Sequence, residues 1–109
     1  MKVLVLDYPT RRYEDLGAER FEVEWIETKD GRRDKPEEDF DPDVDTVTHC
    51  LYFKTRTAAL KHAKEIFDDR GEFLTWGVVT VTRQAVEFFD EDHGYAEWRN
   101  VGDAEEISK

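Results

Sequence analysis

Hydrophobic and polar positions alternate in several separate stretches of this chain and follow a helical spacing in only one. Residues 3–8 form a short apolar run closed by Pro9, which predicts a buried first strand. In residues 20–27, Phe21, Val23 and Trp25 point one way and Glu22 and Glu24 the other, the period of a strand with one wet face. Residues 46–53 repeat the pattern, with Val47, His49, Leu51 and Phe53 on one side and Thr46, Thr48, Cys50 and Tyr52 on the other. Residues 73–83 are rich in β-formers, and Gly77 marks a bulge or a close backbone approach. Residues 84–89 either continue that strand or turn a corner, Asp90 to Gly94 make a turn, and residues 95–101 return.

The helical spacing lies at residues 57–70. Leu60, Ala63 and Phe67 share a face flanked by Ala59 and Ile66, with Lys61, Lys64, Glu65 and Asp68 opposite. Thr55 or Thr57 caps this helix, and Gly71 stands where a left-handed residue after the last turn is wanted. Its narrow, alanine-rich seam predicts close packing on a sheet. Residues 10–19 are polar and support only a short helical turn around residues 13–16. Residues 35–45, with two prolines and six acids, read as an exposed loop, and residues 102–109 as an acidic tail. The expected fold is α+β in a single domain spanning residues 1–109: a mostly antiparallel sheet of five to six strands with one main helix packed on one face.

Composition narrows the function classes. The chain has 109 residues and carries 27 acids against 16 Lys and Arg, a net charge of −11 that argues against direct nucleic-acid or anionic-membrane binding. Aromatic content of 13% argues against wholesale disorder. The N-terminal apolar run is too short for a signal peptide or a membrane span, and the lone Cys50 forms no internal disulfide. The expected compartment is the cytoplasm.

The charge is gathered rather than spread. Residues 37–45 contribute −6 and residues 84–109 another −6, while the rest sums to +1. Asp39, Asp41, Asp43 and Asp45 recur at every second position; if extended, their carboxylates share a side at ~6.6 Å spacing. That is roughly half the density of a DNA strand's phosphates, so imitation of a phosphate row requires a second cluster alongside. Glu87, Asp90, Glu91, Asp92 and Glu97 are that cluster, and Glu37 and Glu38 extend the first. Two plainer readings are a solvated surface and halophilic acidity; the near-neutral remainder counts against the second. Trp98, next to Glu97, is either a core residue or an anchor for a basic partner.

Catalytic and metal motifs are not met. Residues 39–50 imitate a calcium loop but place Val44 where glycine is needed and Cys50 where glutamate is needed. His49 and Cys50 are neighbours on a strand, hence on opposite faces, and read as a packed histidine and a buried thiol. His62 on the helix and His93 in the turn read as solvent-facing. No phosphate-binding glycine loop or nucleophile elbow occurs, and the only serine is Ser108. The expectation is a non-enzyme with no cofactor and no metal.

The stretch VTVTRQAVEFFDED from Val79, then Tyr95-Ala-Glu-Trp, then Val101-Gly-Asp, resembles the C-terminal half of small uncharacterised proteins encoded by bacteriophages and prophages. The resemblance covers residues 73–107 and carries no assigned functional residue. It implies a phage accessory protein acting inside a bacterium, with counter-defence of the small, acidic anti-CRISPR kind as the implied role.

The leading expectation is a non-catalytic inhibitor or nucleic-acid mimic. Its partner-binding residues are Glu37, Glu38, Asp39, Asp41, Asp43, Asp45, Glu87, Asp90, Glu91, Asp92, Glu97 and Trp98, and its partner is a basic surface on a nucleic-acid-binding host complex. The alternative is a small assembly protein, dimeric through a strand edge, whose acidity serves solubility. Monomer and homodimer both remain open.

Overall fold

The computed structural model describes residues 1–7, 10–29 and 45–108. The elements run β1 (Lys2–Asp7), β2 (Thr10–Asp15), β3 (Glu19–Thr28), β4 (Thr46–Phe53), α1 (Arg56–Arg70), a 3-10 turn (Gly71–Phe73), β5 (Leu74–Asp90), β6 (Tyr95–Asn100) and β7 (Glu105–Ser108). The seven strands of the described residues join one sheet in the order β2-β1-β6-β5-β3-β4, with β7 beside β5. The fold is α+β as expected, and the sheet is mostly antiparallel. Its strand count exceeds the expected five to six, and one pair, β1 with β6, is parallel.

The two extra strands correct two expectations. Residues 10–15 form a strand paired antiparallel to β1 from Lys2↔Asp15 to Asp7↔Thr10, where the sequence suggested a helical turn. An edge strand needs only one neighbour and buries little, so its residues lack the apolar alternation that reveals a central strand. Residues 105–108, expected within a tail, pair with β5 from Val78↔Ser108 to Val81↔Glu105. β6 occupies the same side of β5 further along, from Gln84↔Asn100 onward, and the backbone of Val101 donates to Arg83 O at 2.8 Å. β7 therefore resumes the line of β6 after a kink at Gly102, whose φ of 78° suits glycine.

Residues 74–90 make one strand of 17 residues rather than two. Its register against β3 slips between Trp25 and Glu27, opposite Gly77 with φ 65°. That bulge accommodates the extra residues opposite β3 without ending the pairing.

Helix α1 begins at Thr55, whose hydroxyl accepts from Ala58 N at 3.2 Å. Gly71 is right-handed (φ −51°), not left-handed, because the chain tightens into the 3-10 turn instead of reversing. Ala59 and Ala63 are fully buried and Ile66 nearly so. They meet Val23, Leu74, Val79 and Val81, with Phe21, Trp25, Phe53, Leu60, Phe67 and Ile107 around them. Two alanines at the contact let the helix approach the sheet closely, as the seam predicted. No helix among the described residues is long and apolar enough to cross a membrane.

A second, smaller core joins Val3, Val5, Val86 and Ala96, with Ala18 and Trp98 against it. Alternation along β5 puts it on the face opposite the helix: Val79 and Val81 face α1, whereas Gln84 and Val86 face away. The sheet curls toward this second face, so that residues from its two edge strands, Arg12 and Glu14 of β2 and Tyr52 of β4, line one cavity.

Candidate functional site

The far end of the β5–β6 hairpin collects most of the acids named for the second cluster. Glu87 and Glu97 are direct cross-strand partners, so their side chains share a face. Glu87, Glu91 and Asp92 are exposed, and Asp90 and Glu97 are half-buried. Among the described residues, no ion pair engages Glu87, Glu91, Asp92 or Glu97. Asp90 serves the turn itself. It accepts from His93 N at 3.2 Å, its Oδ2 lies 2.6 Å from His93 Nδ1, and Gly94 N donates to its carbonyl at 3.0 Å. Partial burial, the Asp90 charge and the Asp90 hydrogen bond raise the Tyr95 hydroxyl above its ordinary pKa.

Of the first cluster, Glu37, Glu38, Asp39, Asp41 and Asp43 lie outside the described residues. Asp45, just before β4, is half-buried and already engaged in an interaction. Trp98 follows Glu97 on β6 and faces the other side of the sheet, opposite Val86, so it does not stand beside the hairpin acids.

Trp98 belongs instead to a polar cluster on the inner face of the curl. The Arg20 guanidinium carbon sits 3.8 Å from the Tyr52 ring centre and 4.2 Å from that of Trp98, a cation held between two π faces. Arg20 Nε donates to Gln84 Oε1 at 2.8 Å, and Gln84 Nε2 donates to Asn100 Oδ1 at 2.8 Å and to Glu22 Oε2 at 3.3 Å. Arg20 and Gln84 are each only 7% exposed. Burial, then the neighbouring Glu24, raises the Glu22 carboxyl above the ordinary range; hydrogen bonds from Gln84 and Tyr52 and the Arg20 charge oppose that without cancelling it. The Trp98 indole N–H is buried with no acceptor among the described residues.

Next along this face, Glu22, Glu24 and Cys50 bring their ligand atoms within 4.8 Å of one another. Cys50 Sγ donates weakly to Glu24 Oε2 at 3.8 Å. Partial burial and then the Glu22 and Glu24 charges push the thiol up to about 11, so it is protonated at neutral pH. Cys50 is exposed as a residue, contrary to the buried thiol expected, because β4 is an edge strand. His49 does pack, stacked on Trp25 with ring centres 5.2 Å apart. His62 tilts against Phe53 at 5.1 Å instead of standing wholly in solvent.

On the helix side, Glu27 is 9% exposed and works as a tie. It accepts from Trp25 Nε1 at 2.7 Å and from Arg70 Nη2 at 2.5 Å, and His49 Nε2 lies 3.7 Å away. Burial favours its neutral form, but the hydrogen bonds from Arg70 and Trp25 with the Arg70 charge outweigh it, leaving the carboxyl below the ordinary range. The tie holds the C-terminal end of α1 to β3 and is structural.

The Arg20–Tyr52–Trp98 cluster escaped the sequence. Alternation assigns Arg20 and Glu22 to a wet face, and nothing local announces that the sheet curls over that face. Comparison with protein-family models, with curated proteins and with solved structures finds no match to this chain.

Proposed function

We propose that this chain is a non-catalytic interaction protein that docks the acidic end of its β5–β6 hairpin onto a basic protein surface. The carrying observation is the pairing of Glu87 directly opposite Glu97, with Glu91 and Asp92 exposed at the adjoining turn. Like charges set opposite each other across strands destabilise a sheet. A partner's lysines and arginines would relieve that repulsion and draw the two proteins together at a salt-sensitive rate. In the phage setting that residues 73–107 resemble, such a surface would occupy a basic groove on a host nucleic-acid-binding complex. Purified complexes of that kind, titrated at about 50 mM and about 300 mM salt, should bind more weakly at the higher salt. The Glu87→Gln/Asp92→Asn/Glu97→Gln variant should bind about tenfold more weakly. Salt-indifferent binding, or equal binding by the variant, rejects the proposal.

A second reading has its own observation. β4 stands at an edge of the sheet, and Val47, Leu51 and Tyr52 are 39%, 39% and 47% exposed there. An edge strand with exposed apolar groups is a template for pairing with another copy. Sedimentation analysis separates the two readings. A dimer abolished by Leu51→Lys, and indifferent to the hairpin substitutions, favours assembly through β4.

A further inference from the structure

We propose that two copies of this chain pack together through the helix-bearing face of the sheet, on the strands that α1 leaves uncovered. α1 packs chiefly on β3, β4, β5 and β7, and β6, β1 and β2 extend beyond it. Val3, Val5 and Ala96 point to the inner face, so alternation puts Leu4, Leu6, Tyr95 and Glu97 on the helix-bearing face. Arg11 and Tyr13 of β2 join them there as the partners of Leu6 and Leu4. Tyr13 is 67% exposed, and Leu4, Leu6 and Tyr95 are half-buried.

The register makes this face complementary to itself. Leu4 pairs with Tyr95, and one residue further in the same parallel register Leu6 is level with Glu97. Two rungs therefore cross β2, β1 and β6: Arg11–Leu6–Glu97 and Tyr13–Leu4–Tyr95. Other charges on this face are already matched: Lys2 lies 3.4 Å from Asp15, Arg83 pairs with Glu19, and Arg99 is engaged. Arg11 and Glu97 have no ion pair among the described residues, and Leu6 stands between them. A two-fold axis running along β1 turns each rung end for end. It sets Arg11 against the partner's Glu97 and Tyr13 against the partner's Tyr95, across the ~10 Å that separates packed sheets. Leu4 and Leu6 then meet their own counterparts. Glu87 on β5, with Glu91 and Asp92 at the turn, falls outside this contact, so the dimer leaves those acids to the docking proposed above.

The net charge of −11 opposes self-association at long range, so the test is sedimentation equilibrium at about 150 mM salt, where screening confines that repulsion to ~8 Å. The intact protein should dimerise with a dissociation constant of about 100 μM or tighter. Tyr13→Lys and Arg11→Glu, both exposed positions outside the hairpin, should each weaken the dimer at least about tenfold. Glu97→Lys should do the same alone, and combined with Arg11→Glu it should restore the dimer to within about threefold. A chain still monomeric at about 300 μM overturns the proposal. So does a dimer that Arg11→Glu leaves intact, including one lost only with Leu51→Lys, and so does failure of the double reversal to restore association. Arg11 and Tyr13 take no part in the hairpin's docking, so either result leaves that reading to its own titration.

Discussion

β5 buries opposite faces in its two halves, and the two faces use different physics. Near its start, Val79 and Val81 lie beneath α1 among aliphatic and aromatic neighbours. Further on, Gln84 and Val86 are buried on the other side, where a small aliphatic cluster adjoins the Arg20–Gln84–Asn100 hydrogen bonds. Apolar packing is non-directional and scales with the area removed from water. A buried polar network stabilises only when its members find partners, so it fixes geometry more than it adds free energy. The helix side therefore carries stability, and the inner side places charged and aromatic groups at fixed positions.

Truncating each core breaks the comparison most directly. Leu74, fully buried on the helix side, should cost about 3 kcal/mol when replaced by alanine, through lost transfer energy and the cavity left behind. Val86→Ala on the inner side removes fewer methyl groups and should cost about 2 kcal/mol. Urea unfolding followed by far-ultraviolet dichroism measures both. Because β5 runs through both cores, each variant should keep a single transition. A biphasic curve for Val86→Ala would show that the inner side melts by itself.

The next largest effect sharpens the chemical side of the contrast. Cys50 is exposed, yet its thiol is held at a pKa of about 11 by partial burial and the Glu22 and Glu24 charges. At pH 8 its thiolate fraction should be roughly two hundredfold below that of an ordinary cysteine near pKa ~8.5. The greater nucleophilicity of a more basic thiolate recovers about tenfold, so reaction with neutral 2,2′-dithiodipyridine should be about twentyfold slow. Glu24→Gln, which removes a charge and the acceptor of the thiol hydrogen bond, should accelerate it. An ordinary rate in the unsubstituted protein would mean that the carboxylates do not act on the sulfur.

The helix side was also the part legible in the sequence. Period-2 alternation placed β3 and β4, and the Leu60, Ala63 and Phe67 seam flanked by Ala59 and Ile66 placed α1, although the buried centre of the contact is Ala59, Ala63 and Ile66 with Leu60 and Phe67 at its margin. β2 and β7 were hidden because edge pairing consists of backbone hydrogen bonds that leave little mark on side-chain pattern. The hairpin acids were visible as charge, and a one-residue step along β6 was enough to part Glu97 from Trp98. The clamp on Arg20 was invisible for another reason. Tyr52, Arg20 and Trp98 come from β4, β3 and β6, and only the curl of the whole sheet brings them together.

The smallest effect compares two glutamates of one strand. Glu27, on the helix side, has its pKa lowered because Arg70 and Trp25 hydrogen bonds outweigh burial. Its contribution is present above the unfolded carboxyl value near 4.5 and is lost as pH falls through the lower folded value. Glu22, on the inner side, has its pKa raised, first by burial and then by Glu24. A raised carboxyl contributes stability that is full below 4.5 and lost as pH rises through the folded value. Glu27→Gln should therefore destabilise at pH 7 by about 1 kcal/mol, the figure being modest because Arg70 is half-exposed, and by less at pH 3. Glu22→Gln should do the reverse: it should relieve the repulsion with Glu24 and raise stability at pH 7 by less than about 1 kcal/mol, a gain that vanishes as the native carboxyl protonates. Urea midpoints of both variants across pH 3–7 measure the two slopes. Slopes of the same sign would mean that the Gln84 and Tyr52 hydrogen bonds and the Arg20 charge outweigh burial at Glu22, and the contrast between the two sides of the sheet would then be one of packing alone.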